Sequence, residues 1–150
     1  MATAPRTLVG RTYPPTEAYE VTRERIREFA TAIGDPNPVY RSAEAARAAG
    51  QPDVVAPPTF PALITIPAID LLKADPEFGA DWSRLLHGEQ GFVHERPLRP
   101  GDRVVAALTI ADVRPLGSRL ALSVRTEIST EEGELVSTGL ATLVVARKES

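Results

Sequence analysis

Residues 62–72 read ALITIPAIDLL, and this run determines how the rest of the chain can fold. Apolar side chains fill nearly every position without alternating with polar ones. The length and pattern of the run therefore favour a helix that is buried on most sides. A buried strand is the alternative interpretation. In a helix, Pro67 would remove one backbone hydrogen bond and should bend the axis.

The segment before this run, residues 56–61 (APPTFP), predicts where the helix begins. Thr59 is a residue type that caps helix N-termini, and Pro61 suits the first helical turn. The first N–H groups of a helix lack internal partners and carry partial positive charge. Because the flanking residues are uncharged, the N–H groups near Thr59 and Phe60 could stabilise an oxyanion in a site of low dielectric. Every helix has such an end, so this feature does not identify a function by itself.

Alternating apolar and polar residues predict strands through the second half of the chain. The segments concerned are residues 89–96, 104–110, 120–128 and 135–146, and a short strand is also expected at 18–21. The first of these places Gln90, Phe92 and His94 on one face. Short turns join the later strands, which indicates an antiparallel meander. An apolar helix and an antiparallel sheet must bury each other, so we predict an α+β fold with the sheet wrapped around a long central helix.

Two shorter helices are predicted before the apolar run. The first begins at Thr22, ends at Gly34 and carries four apolar residues on one face: Ile26, Phe29, Ala30 and Ile33. The second is a small alanine-rich helix over residues 42–49. Trp82 lies between the apolar run and the strands, where we expect it to pack a loop against the sheet.

Composition excludes several classes of function. The length of 150 residues suits a single domain spanning 1–150. A net charge of −3 gives no basic field for nucleic acid or an anionic membrane, and the absence of cysteine excludes disulfides and thiolate chemistry. The N-terminus lacks the apolar segment of a secretory signal, and the longest uncharged stretch, residues 54–69, is too short to span a bilayer. We therefore expect a cytoplasmic protein.

A proline-stiffened polar loop, residues 34–40 (GDPNPVY), directly follows the first predicted helix. Asp35 and Asn37 each precede a proline, which biases both backbones toward extended conformations. Polar side chains on such a loop are held in fixed directions, as a binding or catalytic group requires. The alternative is a helix stop, since Gly, Asp, Asn and Pro are common turn formers.

The chain has only two histidines, His87 and His94, so imidazole chemistry has few candidates. His87 could pair with Glu89 as acid and base. The alternative is that His87 caps a loop while Glu89 faces solvent. His94 lies among charged residues, which favours a surface or interface position. The histidine spacing does not match a metal site, and no glycine-rich phosphate loop or Gly-x-Ser-x-Gly motif occurs, so we predict neither metal nor cofactor.

Together these motifs resemble the MaoC-like hydratase/dehydratase group of the hot-dog superfamily, in its fatty-acid-synthase dehydratase-like N-terminal branch. The chain looks especially like the small actinobacterial proteins of that branch. The resemblance covers nearly the whole chain through an ordered set of short motifs at residues 9–13, 19–21, 26–30, 34–40, 56–60, 87–90, 96–98 and 101–102. It implies the hot-dog fold and an acyl-thioester substrate.

The resemblance also implies which loop residues matter. Active members of the family carry an Asp-x-Asn-Pro-x-His motif, whose aspartate and histidine act on a water and on the α-proton of an acyl thioester. Asp35, Asn37 and Pro38 match this motif, but Tyr40 stands where the histidine should be. A tyrosine with an ordinary pKa of about 10 is a poor proton acceptor at neutral pH. The family's oxyanion-hole glycine is also replaced, near Thr59.

The same branch contains paired subunits, of which one keeps the catalytic pair and the other shapes the acyl tunnel and steadies the dimer. Tyr40 implies the second kind: a subunit of a (3R)-hydroxyacyl-thioester dehydratase, acting on acyl-carrier-protein or CoA thioesters. Its partner would be a His-bearing homologue, although a homodimer is also open. The implied substrate-binding residues are Pro58, Thr59, Phe60, Leu63, Ile66, His87 and Gln90. Two alternatives stay open: a self-sufficient enoyl-CoA hydratase using Asp35 with His87 or a water relay, and a non-catalytic acyl-thioester-binding scaffold.

Overall fold

One antiparallel sheet dominates the structure, a computed structural model that describes residues 5–148. The helices are α1 (Arg23–Ala32), α2 (Ala43–Ala48) and α3 (Ala62–Lys73), with short 3-10 turns at Pro5–Leu8 and Pro38–Tyr40. The strands are β1 (Tyr19–Glu20), β2 (Ala80–His94), β3 (Arg103–Leu116), β4 (Arg119–Thr130) and β5 (Leu135–Arg147). Over the described residues, no helix has the length and apolar character needed to cross a membrane.

The strands are arranged in the order β1-β3-β4-β5-β2, and every neighbouring pair is antiparallel. The predicted meander of β3, β4 and β5 is confirmed. Its two tight connections depend on Gly117 at φ 60° and Gly133 at φ 98°, a backbone region that L side chains rarely adopt. Strand β2 precedes the meander in sequence and pairs with its last strand, β5, so it lies at the outer edge of the sheet.

Helix α3 packs against the sheet at β3 and β4, which confirms the predicted helix. Its buried face consists of Ile64, Thr65, Ala68 and Leu72. Gly139 of β5 makes room for this face: a Cβ there would lie 3.3 Å from the Phe92 ring and 3.4 Å from Thr65 Cγ2. A side chain at this position would therefore require Phe92 or Thr65 to shift by a few tenths of an ångström.

The prediction that α3 is buried on most sides is wrong for the single chain. Leu63, Ile66 and Leu71 point away from the sheet and remain 37%, 53% and 38% exposed. The sheet covers only one face of the helix, so the second apolar face is left at the surface.

The start of α3 also differs from the prediction. The N-cap residue is Pro61, and no side chain caps the helix, so the prediction that Thr59 caps it is wrong. Instead, the Phe60 N–H donates to the Pro57 carbonyl at 2.9 Å and the Ala62 N–H donates to the Thr59 carbonyl at 3.0 Å. The prolines of this segment have no N–H to offer, and consecutive turns satisfy the donors that remain.

Strand β2 is longer than predicted, since it begins at Ala80 rather than at residue 89. Trp82 accordingly lies in a strand and not in a loop; its ring packs 5.5 Å from that of Phe78. Irregularities in the pairing with β5 separate Asp81 from Leu86 and interrupt the strand again before residue 89. Such bulges break the two-residue alternation on which the prediction depended.

The two shorter helices form as predicted. The Thr22 hydroxyl accepts the Arg25 N–H at the start of α1, and the Ser42 hydroxyl accepts the Ala45 N–H at the start of α2. Of the four residues assigned to the apolar face of α1, Ile26 and Ala30 are fully buried and Phe29 is partly buried. Ile33 is 47% exposed, which contradicts its assignment, because it is the C-cap residue and lies past the last helical turn.

Candidate active site

The polar loop after α1 is held in shape by the side chains of Asp35 and Asn37. Asp35 Oδ1 accepts the Asn37 N–H at 3.0 Å, and Asn37 Oδ1 accepts the Val39 N–H at 3.1 Å. From the far side, Arg41 Nη2 donates to the Asp35 carbonyl at 2.9 Å. The turn-forming role that the sequence allowed is therefore present. It leaves the second carboxylate oxygen of Asp35 without a hydrogen bond to any residue in 5–148.

Tyr40 closes this loop and is buried. Burial raises the pKa of its phenol above the ordinary value of 10, and the negative charge of Asp35 raises it further. Both effects oppose formation of the phenolate. At neutral pH the Tyr40 hydroxyl is protonated, so it can donate a hydrogen bond but cannot accept a proton as a base.

The N-terminal end of α3 offers one uncommitted backbone donor. Phe60 is fully buried, with its ring edge-on to Phe29 at 5.4 Å and to Tyr19 at 6.1 Å, and its N–H is bonded to Pro57. Thr59 is exposed, and its N–H donates to no acceptor within the described residues. Of the two N–H groups considered from the sequence, that of Thr59 is the one able to meet a substrate oxygen.

His94 reaches across to this end of the helix. Its Nε2 lies 2.9 Å from the Pro58 carbonyl, and its Nδ1 lies 3.0 Å from Oγ of the buried Ser137. A carbonyl can only accept, so Nε2 carries the proton, and in the neutral ring Nδ1 accepts from the Ser137 hydroxyl. His94 stays exposed, as the sequence suggested, but it also fixes the turn from which α3 starts.

A cavity of about 260 Å³ lies beside this contact. Its walls are Ala56, Pro57, Pro58, Pro61, His94, Glu95, Arg96, Pro97 and Leu98. The sequence indicated a surface or interface position for His94 and not a pocket. The available clue was the shared face of Gln90, Phe92 and His94, because Phe92 and Gln90 contact the Gly139 position where α3 approaches the sheet.

His87 and Gln90 form a separate contact on β2. His87 Nε2 lies 2.8 Å from the amide oxygen of Gln90, and the Gln90 amide nitrogen donates to the Gly91 carbonyl at 3.1 Å. His87 therefore pairs with Gln90 and makes no hydrogen bond or ion pair with Glu89, so the proposed acid–base pair does not form. Of the alternative, one half is confirmed, because Glu89 is exposed, and the other is wrong, because His87 lies within a strand rather than capping a loop.

The structure thus brings only some of the expected site residues together. Asp35 and Tyr40 are close enough to interact electrostatically, and Pro58 is joined to His94. His87 lies further back along β2, about 20 Å from His94 at ordinary strand rise. Leu63 and Ile66 belong to the exposed face of α3.

Solved structures with the same arrangement define the class of protein. The HadBC complex, a 3R-hydroxyacyl-ACP dehydratase from Mycobacterium tuberculosis, contains a chain that matches with a TM-score of 0.81 and 28% identity, over 96% of this chain and 99% of that one. A MaoC-like dehydratase matches with a TM-score of 0.83 and 30% identity, over 97% of this chain and 44% of that one. The fold is therefore the hot-dog fold of MaoC-like hydratases and dehydratases, as the resemblance implied.

Sequence comparisons give the family. A model of the FAS1-like, dehydratase domain region matches residues 7–139. A UPF0336 protein of Saccharopolyspora erythraea is 50% identical over 139 residues, which are 93% of this chain and 89% of that protein. A UPF0336 protein of Streptomyces avermitilis is 49% identical over 144 residues, 96% of each chain. This chain belongs to the FAS1-like dehydratase-region family.

Proposed function

We propose that this chain is the substrate-binding and stabilising subunit of a cytoplasmic (3R)-hydroxyacyl-thioester dehydratase. Together with a His-bearing homologous hot-dog subunit, it would convert a 3-hydroxyacyl thioester of acyl carrier protein or CoA into the trans-2-enoyl thioester and water. The observation that carries the proposal is the buried, protonated Tyr40 at the position of the family's catalytic histidine.

The chemistry of dehydration explains why this substitution matters. The reaction needs a base for the α-proton, an acid for the departing hydroxide, and donors for the enolate-like oxygen of the thioester. Tyr40 cannot serve as the base, while His87 and His94 are bonded to Gln90 and Pro58. A carboxylate such as Asp35 would then work without its imidazole partner. We therefore assign proton transfer to the other subunit.

This chain would contribute binding surface in place of proton transfer. The Thr59 N–H is available for an oxygen of the substrate, and Pro58 and Phe60 shape the turn that presents it. Leu63 and Ile66 on the exposed face of α3 supply apolar area suited to an acyl chain or to its tunnel. We keep Gln90 and His87 as lesser candidates, since their side chains already bind each other.

Exposed surfaces support a partner subunit. Strand β2 lies at the edge of the sheet, with Leu86 57% and Val93 53% exposed. An edge strand presents unpaired N–H and C=O groups, and long apolar edges are normally covered. The similarity to a chain of the HadBC complex agrees with such an assembly.

Association and ligand binding test this proposal. A His-bearing homologue encoded in the same genome is co-expressed with a tagged form of this chain, and the purified material is analysed by light scattering. We expect a stable one-to-one complex that binds a non-hydrolysable 3-hydroxyacyl-thioester analogue more tightly than either chain alone. A homodimer that accepts no such partner and binds no acyl thioester would contradict the proposal.

A further inference from the structure

A basic pocket lies at the end of the sheet where β2 begins and β5 ends. Its volume is about 490 Å³, and its walls include Trp82, Arg84, Arg119, Arg147 and Lys148. One carboxylate, Asp81, also lines it. The pocket therefore concentrates positive charge in a chain whose net charge is −3. We call this cavity the basic pocket below.

The bulge in β2 creates the pocket. Asp81 pairs with Ala146 of β5, and the next paired residue of β2 is Leu86, opposite Val144. The intervening residues leave the hydrogen-bonded ladder, and Asp81 Oδ1 holds them by accepting the N–H of Ser83 at 3.0 Å and its hydroxyl at 2.5 Å. Asp81 thus serves the bulge, which gives Arg84 its position in the pocket wall.

The cations of the basic pocket form no close ion pair in the part of the chain that the structure describes, although Arg84 and the Asp81 carboxylate attract each other at longer range. Within residues 5–148, no carboxylate lies within 4.0 Å of the charged groups of four pocket residues: Arg84, Arg119, Arg147 and Lys148. Arg96 shows the contrasting case, because its guanidinium binds both Asp102 and Glu134.

The side chain of Arg119 is partly buried. Its Nη1 is buried, and it is the one buried side-chain nitrogen or oxygen in the described part of the chain that has no hydrogen-bond partner. Burying a guanidinium N–H without an acceptor is unfavourable. Nη1 has no accessible surface, so an acceptor from the pocket reaches it only if the Arg119 side chain turns toward the cavity, whereas the charge of the guanidinium acts on the pocket in either position.

We infer that the basic pocket binds a phosphate group of the carrier to which the acyl thioester is attached. Guanidinium groups match phosphate oxygens in charge and in paired hydrogen bonds, and several of them converge here. Trp82 adds an aromatic wall. That the phosphate belongs to the carrier of the acyl thioester rests on the proposed function, whereas the binding of a phosphate group rests on the pocket itself.

The position of the pocket fits a two-subunit site. Strand β2 begins at Ala80, in the wall of the basic pocket, and ends at His94, which hydrogen-bonds to Pro58 just before α3. If two edge strands pair antiparallel around a twofold axis, the first residues of one β2 lie beside the last residues of the other. The pocket of this chain then lies near the start of the central helix in the partner subunit, where the proposed function places proton transfer.

Trp82 is the only tryptophan of the chain, which gives the test a specific readout. The full-length protein is titrated with free coenzyme A, dephospho-coenzyme A, 4′-phosphopantetheine and pantetheine, and tryptophan fluorescence is followed. We expect a saturable change with the phosphate-bearing compounds, weaker at high salt, and none with pantetheine. Equal affinity for phosphopantetheine and coenzyme A would identify the phosphate shared with carrier proteins. Tighter binding of coenzyme A than of its dephospho form would identify the nucleotide phosphate.

Charge-neutralising variants locate the site. Arg119→Gln and Arg147→Gln should each weaken binding about tenfold, the loss of one charge-assisted contact. Arg125→Gln removes the same charge from β4 outside the pocket and should leave the affinity unchanged. Thermal unfolding checks the fold of Arg119→Gln, and the exposed Arg147 carries the test if that variant unfolds. No saturable fluorescence change, or equal losses in all three variants, would overturn the inference.

The two proposals fail in different ways. If the mixture with a His-bearing homologue dehydrates 3-hydroxyacyl thioesters and Arg119→Gln leaves its KM unchanged, the inference about phosphate is wrong and the proposed function stands. If the isolated chain binds phosphate but forms no complex and no acyl-thioester site, the proposed function is wrong and the pocket stands. If both proposals are correct, Arg119→Gln raises the KM of the mixture and leaves kcat unchanged.

Discussion

Tyr40 ends a loop whose shape is held by other side chains. Asp35 and Asn37 accept the backbone N–H groups that fold residues 34–40. The phenol fills a buried position where the charged form is disfavoured, first by burial and then by the neighbouring carboxylate. The loop therefore keeps its shape through Asp35 and Asn37, and Tyr40 supplies no proton acceptor at neutral pH.

The raised pKa of Tyr40 predicts how stability depends on pH. An unfolded tyrosine loses its proton near a pH of about 10, whereas the folded Tyr40 keeps it to higher pH. Above this pH the unfolded state binds fewer protons, so the free energy of unfolding falls as pH rises. Urea unfolding of wild type and Tyr40→Phe, compared at neutral and alkaline pH, measures the effect. The alkaline loss should be smaller in Tyr40→Phe, and identical losses in the two proteins would be inconsistent with a buried phenol.

His94 contributes at the same scale by tying β2 to the start of α3. Replacing it with alanine removes hydrogen bonds to the Pro58 carbonyl and to buried Ser137, so His94→Ala should lower the free energy of unfolding by about 1–2 kcal/mol. His87→Ala is the matched control, because His87 is exposed and bonds only to Gln90 within the described residues. Urea denaturation that ranks His87→Ala as the more damaging change would refute this role.

Among the elements, α3 and the meander were predictable because each shows one clear local pattern. The uninterrupted apolar run identified α3, and alternation identified β3, β4 and β5. The first half of β2 was missed because its bulge at residues 82–85 destroys alternation, and the basic pocket that this bulge creates was missed with it. Asp35 and Tyr40 were found from a motif, whereas the contact from His94 to Pro58 depends on long-range folding that no local pattern encodes.

The fit between α3 and the sheet predicts a sharp difference between two glycines. A Cβ on Gly139 would lie 3.3 Å from the Phe92 ring, so Gly139→Ala should lower the free energy of unfolding by about 1–3 kcal/mol through overpacking. Gly91→Ala is the control, since its nearest atom would be 4.0 Å away. Thermal or urea unfolding of both variants checks the ranking, and equal stabilities would show that the helix has room to move.

For the whole molecule, the exposed face of α3 and the edge of β2 predict a dependence on assembly. Ile66→Glu changes a residue that is 53% exposed, so the isolated chain should keep its stability within about 0.5 kcal/mol. A buried charge at a subunit interface is unfavourable, so the same change should weaken association at least about tenfold. Val9→Glu, at an exposed apolar residue outside α3 and β2, is the matched control. Unchanged association of Ile66→Glu, measured by sedimentation, would remove this face from the interface.

Hydration of a trans-2-enoyl thioester, the reverse of the proposed reaction, tests the central claim most directly. The rate is measured for the isolated chain, for a His-bearing homologue and for their mixture in one assay. Because Tyr40 supplies no base, the isolated chain should show no turnover above background, and the mixture should exceed the sum of its separate components. Turnover by the isolated chain that is abolished in Asp35→Asn would contradict the account and establish a self-sufficient hydratase.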